Sequence, residues 1–183
     1  MIVAGIDYSM TSPAVCVKNT ETGELRFYSL SSASKKFNGF FKHGLHSILI
    51  EEMPPHTSPM QRYDAISQWA MSKLISNSVE TVSMEGYSMG SSSGMVFNIA
   101  ENGGILKYKM FRAKIPFNMP SPTQVKKRFA GKGNAKKDDM CNMFYETLGF
   151  KPHELYGGKP AGSPENDLVD SYANMLFAGE KLD

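Results

Sequence analysis

Ile2-Val3-Ala4-Gly5-Ile6-Asp7 is a short apolar run that ends in a carboxylate. Such a run reads as a buried central strand with Asp7 at its carboxyl end. A turn through Ser9 to Ser12 leads into Pro13–Lys18, a second strand. A third follows at Glu24–Leu30, after the turn Thr20-Glu21-Thr22-Gly23. The connections are too short for crossovers, so these three strands form an antiparallel meander. Val79–Glu85 repeats the opening pattern, an apolar run closing on an acid, Glu85. It is preceded by a helix over 58–76, in which Met60, Tyr63, Ile66, Ala70 and Leu74 keep helical spacing.

Beyond Glu85, 86–94 is a Ser-, Gly- and Met-rich loop. A helix is expected over 95–110, with Gly103-Gly104 inside it. Each Gly costs about 1 kcal/mol relative to Ala in a helix, so the pair implies close packing there. A strand over 114–119, a helix opened by Pro120-Ser121-Pro122-Thr123 and running through Phe129, and a helix over 135–148 capped by Gly149 follow. A Gly/Pro-rich link at 151–162 leads to the last helix, where Ser163 and Pro164 read as N-cap and first helical residue. Segment 31–57 holds Lys35, Lys36, Lys42 and three phenylalanines, and reads as a mobile loop or insertion with one extra short strand. The result is a single α/β domain over 1–183, a mixed five-stranded sheet with helices on both faces.

Composition narrows the setting. A chain of 183 residues with 41% hydrophobic residues can build one core, and a net charge of +2 leaves any basic function to local clustering. Cys16 and Cys141 lack metal or redox spacing and read as buried thiols in a reducing compartment. No apolar run is long enough for a membrane helix, and the opening residues lack the basic start of a secretion signal. A soluble cytoplasmic protein is expected.

Three features bear on chemistry. If the first strand and Val79–Glu85 lie side by side and parallel, Asp7 and Glu85 are neighbours at the strand ends where open α/β sheets bind ligands. Asp167 and Asp170, three apart on the last helix, project together. They are either a solvated acidic face near a helix N-terminus or the second half of an acidic cleft. Four converging carboxylates suit two divalent ions about 4 Å apart, the arrangement that hydrolyses phosphodiesters. An all-oxygen set favours magnesium or manganese over zinc. Finally, Lys126, Lys127, Arg128, Lys132, Lys136 and Lys137 fall within twelve residues that contain no acid. This run is either a solvated basic face or a nucleic-acid contact, with Gly131 and Gly133 permitting close approach of a phosphate backbone. His43 and His46 read as surface residues.

Gly5-Ile6-Asp7-Tyr8-Ser9, Met84-Glu85-Gly86-Tyr87, Gln124-Val125-Lys126-Lys127 with Gly131-Lys132-Gly133-Asn134-Ala135-Lys136-Lys137, and Asn166-Asp167-Leu168-Val169-Asp170-Ser171-Tyr172-Ala173 together resemble the ordered motifs of RuvC-type Holliday junction resolvases. The resemblance implies an RNase H-like fold, a homodimer, and magnesium-dependent paired cleavage of four-way DNA junctions. It implies that Asp7, Glu85, Asp167 and Asp170 bind the metal, with manganese able to substitute, and that Lys126 and Lys137 contact DNA. Lys127, Lys132 and Lys136 join them through the basic run. The family's aromatic wedge falls at the position of Ser88, with Tyr87 offset by one as a DNA-contact candidate. That departure, and the length of 31–57, fit a divergent, bacteriophage-encoded member with specificity relaxed toward other branched DNA. The helix over 95–110 is the expected dimer element, unless its apolar surface is used up inside the monomer.

Two other classes compete. Actin-like ATPases and sugar kinases share the opening strand pair, but they need a second nucleotide-binding half. A non-catalytic DNA-binding module would keep the lysines, yet it has no use for four separated carboxylates.

Overall fold

The computed structural model describes residues 1–31, 35–87 and 93–182, with side chains not described at 35 and 93–95. Seven strands form one sheet: β1 (Ile2–Asp7), β2 (Ala14–Asn19), β3 (Leu25–Ser31), β4 (Gly39–His43), β5 (His46–Glu52), β6 (Thr81–Met84) and β7 (Phe117–Asn118). Their order is β4-β5-β3-β2-β1-β6-β7. The meander β1–β2–β3 is antiparallel, while β6 lies parallel to β1 with Ile6 opposite Met84. The five expected strands are all present. The two added ones are a hairpin, β4–β5, from the segment read as a loop with a single strand. β5 runs parallel to β3 and extends the sheet at that edge. His43 and His46 pair across the hairpin and stack near Phe150.

Period-2 alternation sends the two faces of each strand into separate cores. Ala4, Ile6, Val15, Val17, Val82 and Met84 face α1 (Pro59–Ser76) and α2 (Ser93–Arg112). Val3, Ala14, Cys16, Phe27, Ile48 and Ile50 face the opposite layer, formed by α3 (Pro122–Ala130), α4 (Lys137–Leu148), α5 (Pro152–Tyr156) and α6 (Glu165–Met175). Cys16 and Cys141 are free and buried. No helix among the described residues is long and apolar enough to cross a membrane.

α6 holds the centre of its layer and lies across β1, with further contacts to β2 and β6. Two small residues let it approach so closely. Gly5 sits opposite Ser83 in the β1–β6 register, and a Cβ on Gly5 would run into the backbone of Ser171 and Met175. Ring packing then pins the helix. Tyr172 meets Phe144 and Phe129 edge-on, with centroids 5.4 and 5.6 Å apart. Its first residue, Glu165, is fully buried. The Glu165 carboxylate accepts from Tyr145 Oη (2.8 Å) and from the backbone N–H groups of His153 (3.1 Å) and Ala161 (2.8 Å), and it lies 2.7 Å from His153 Nδ1. A buried carboxylate with this many partners is the kind the interior tolerates.

The helix starts at Glu165, one residue later than the sequence pattern suggests, with Pro164 as N-cap. Ser163 does not cap it, because its hydroxyl donates to the Asp167 carboxylate at 2.6 Å.

Candidate active site

Strand alternation fixes which way the first two acids point. Gly5 and Asp7 lie on the α6 face of β1, and Ser83 and Glu85 lie on the same face of β6 and its continuation. Glu85 N donates to Ile6 O (3.4 Å), which keeps the two strand ends in step beyond the ladder. α6 brings Asp167 and Asp170 over this edge. Asp167 is buried, so the solvated-face reading of the pair does not hold.

The four carboxylates share one electrostatic environment. Asp7 is pushed well above the ordinary carboxylate range, first by burial and then by the charges of Asp170, Asp167 and Glu85. Asp170 is pushed up to about 7, again by burial first, then by Glu85 and Asp167. Burial raises Glu85 and Asp167 as well; in Asp167 the Ser163 and Ser12 hydroxyls oppose the shift. Two lysines act against this repulsion. Lys126, from α3, lowers Glu85 and Asp170. Lys137, at the start of α4, lowers Asp7, Asp167 and Asp170.

Beside the acids opens a cleft of about 490 Å³, lined by Asp7, Glu85, Gly86, Tyr87, Gly103 and Lys126 among others. Gly86 N donates to Pro120 O at 2.8 Å and joins the floor to the start of α3. Ser121 and Gln124 close a reciprocal cap there. Tyr87 leans on Gly103 of α2, which explains that glycine, whereas Gly104 faces open space. Lys107 donates to the Tyr87 hydroxyl at 2.8 Å, so the ring is held against α2. Ser88 lies outside the described residues.

The remaining lysines stand further out. Lys127 is exposed on α3; Lys132 and Lys136 are exposed on the α3–α4 turn. Lys132 pairs with Asp139 at 3.1 Å. Arg128 is committed to Glu180 (2.6 Å) and covers the Phe177 ring. Sequence reasoning overlooked Ser12, Ser163 and Glu165. Ser163 stands four residues before Asp167 and so could have been seen as its partner; nothing local marks Glu165 as buried.

Among the described residues no three His, Cys, Asp or Glu side chains are arranged to hold a metal ion as they stand. The chemistry of the donor set still fits a hard divalent cation, being all oxygen, anionic and held together against its own repulsion. Without a cation that repulsion is a stability cost with a defined pH dependence. A carboxyl whose folded pKa is raised favours the folded state when protonated, so stability is lost as pH rises between the unfolded and folded values. For Asp170 that window runs from 3.8 to about 7. In chelator, the melting temperature is expected to fall between pH 4 and 7 more steeply for the wild type than for Asp170→Asn. Parallel curves would contradict this.

A family model described as crossover junction endodeoxyribonuclease RuvC matches residues 50–154. That segment holds Glu85 and the basic run, while Asp7, Asp167 and Asp170 lie outside it. The RuvC of Corynebacterium diphtheriae is 29% identical over 97 residues, 53% of this chain and 60% of that protein. The RuvC of Corynebacterium jeikeium is 29% identical over 99 residues, 54% and 58% of the respective lengths. Both matches span less than two thirds of those relatives. Solved structures match more of the chain. Thermus thermophilus RuvC in complex with Holliday junction substrate superposes with a TM-score of 0.64 at 23% identity, covering 96% of this chain and 91% of that one. The yeast mitochondrial Holliday junction resolvase Ydc2 gives 0.57 at 18% identity, covering 94% and 75%. At these identities the likeness is one of fold.

Proposed function

Because this chain belongs to the RuvC family of crossover junction endodeoxyribonucleases, we propose that it is a metal-dependent, structure-selective nuclease that resolves four-way DNA junctions, and other branched DNA, by paired phosphodiester hydrolysis. The observation that carries this reading is the acidic cluster itself. Asp7, Glu85, Asp167 and Asp170 come from three separate elements to one sheet edge, with Lys126 and Lys137 in their field. A non-catalytic DNA-binding module would gain nothing from gathering four repelling acids.

Asp7, Glu85, Asp167 and Asp170 would hold magnesium, or manganese in its place. When bound, such ions lower the pKa of the attacking water and stabilise charge on the leaving oxygen. The protein's own groups do the rest. Ser163 donates to Asp167 and fixes one carboxylate oxygen. Lys126, on the cleft wall, and Lys137, close enough to lower the acids, attract the phosphate backbone that the acids alone would repel. Lys127, Lys132 and Lys136 continue that basic surface along the α3–α4 turn, and Tyr87 offers a ring on the cleft wall.

Resolution needs two matched cuts, and the near two-fold symmetry of the substrate calls for a two-fold dimer. Leu106 and Met110 of α2 are used inside the monomer. The outer side of the same helix leaves Phe97 and Phe111 each 72% exposed and Tyr108 59% exposed, an apolar stripe fit for a second copy. Phe97→Asp combined with Tyr108→Asp should convert a dimer to a monomer by light scattering without lowering the melting temperature of the fold. A double variant that remains dimeric would move the interface off α2.

Binding tests the nucleic-acid reading. In chelator, Lys126→Ala with Lys137→Ala should weaken binding to all junction sequences alike and lower the salt slope by about two ion equivalents. An unchanged slope would place the DNA elsewhere.

A further inference from the structure

A second groove, of about 430 Å³, lies between the starts of α1 and α2. Met10 and Thr11, in the β1–β2 loop, line both this groove and the acidic cleft, so the two are neighbours. Among the described residues no acid lines it, and its fixed charge is the guanidinium of Arg62. The other three arginines are engaged: Arg26 with Glu24, Arg112 with Tyr108, Arg128 with Glu180. The Arg62 side chain has no partner among the described residues, and its Nε is buried. The adjacent Tyr63 also lines the groove, is fully buried, and carries a hydroxyl without a partner there.

Buried donors left unpaired are uncommon in folded proteins. Two of them in one acid-free groove point to an anionic ligand. A guanidinium fork matches the oxygens of a phosphate, and Asn98 adds a polar group to the same wall. The first turn of α1 contributes little to the attraction: Ser58 already takes the Gln61 N–H, and Pro59 has none to offer.

We propose that this groove is a phosphate-binding subsite that seats a backbone phosphate of the DNA strand next to the one being cut. The proposal rests on the nuclease reading. Lys126 lines the acidic cleft, and Arg62 lines the groove that shares Met10 and Thr11 with it. A strand held at both would be fixed on either side of the scissile phosphate, which is what a near-attack geometry requires.

The test is binding of a labelled four-way junction in chelator, over a salt series, by the full chain. Arg62→Gln should weaken binding by about tenfold, the scale of a lost charge-assisted contact, and lower the salt slope by about one. Tyr63→Phe should weaken binding by about threefold. It should not lower the melting temperature, because it removes a hydroxyl that the folded protein leaves unpaired. A purely structural role would move stability and leave affinity alone.

If the wild type binds and cleaves junctions and Arg62→Gln matches it in affinity and salt slope, the groove is not a subsite, though the nuclease reading stands. If Arg62→Gln does not fold, Tyr63→Phe decides, and wild-type affinity in that variant overturns the proposal. A wild type that binds no junction overturns both readings.

Discussion

Asp7→Asn should abolish cleavage and at the same time make the metal-free protein more stable. Asp7 is the acid that feels the other three, and burial and repulsion hold its carboxyl far above the ordinary range. Asn keeps the shape and removes the charge. Losing one ligand from a metal site removes several kcal/mol of transition-state stabilisation, so the rate should fall by about a thousandfold or more. In chelator, one of four mutually repelling charges is gone, and the melting temperature should rise. Junction binding should hold or tighten, since the phosphate backbone meets less negative charge. Most substitutions destabilise, so gain of stability with loss of turnover is a signature of a site that stores repulsion for function. An Asp7→Asn protein that melts lower than the wild type in chelator, or cleaves near the wild-type rate, would contradict the assignment.

Gly5→Ala is expected to be the most damaging single change in the fold. The added methyl would meet backbone atoms of Ser171 and Met175, which cannot rotate away. α6 cannot back off cheaply either, because Tyr172 is locked among Phe27, Phe129 and Phe144, and Glu165 is anchored at the other end. Overpacking of this kind costs about 1–3 kcal/mol when side chains can adjust, and a backbone clash belongs at or above the upper end. Any fraction that folds would carry Asp167 and Asp170 displaced from Asp7, so cleavage should be lost beyond the loss in stability. Thermal unfolding and single-turnover cleavage check the two parts separately. A Gly5→Ala protein with wild-type melting and cleavage would mean that α6 does not depend on this contact.

Much of this arrangement is legible in the residues themselves. The runs ending at Asp7 and Glu85 declare two strands, since apolar segments of that length with a terminal acid have few other uses in an α/β chain; that the two lie side by side is fixed by the β1–β6 pairing. The pair Asp167 and Asp170 is visible from helical spacing, but its burial is not. That depends on Gly5 and Ser83 lying opposite one another beneath α6, a register that no local pattern reveals. Of the β4–β5 hairpin the second strand is visible in the apolar Ile48-Leu49-Ile50, but β4 escaped because it is a free edge whose Phe40 and Phe41 do not alternate with polar residues. β7 shrinks to Phe117–Asn118 between Pro116 and Pro120, neither of which can donate to a ladder. α5 carries its own punctuation, Pro152 at the start and a left-handed Gly157 at the end, yet five residues are too few for a periodic signal. Arg62 looks like any polar residue on a helix; that no acid among the described residues lines its groove is a fact of three dimensions.

The most direct test is cleavage of an end-labelled four-way junction, against linear duplex of the same sequence, with magnesium, with manganese and with chelator. Paired nicks at symmetric positions in the junction, in either metal and not in chelator, with linear duplex left intact, are the predicted result. Junction cleavage that persists in chelator, or equal cutting of linear duplex, would contradict a metal-dependent, structure-selective nuclease.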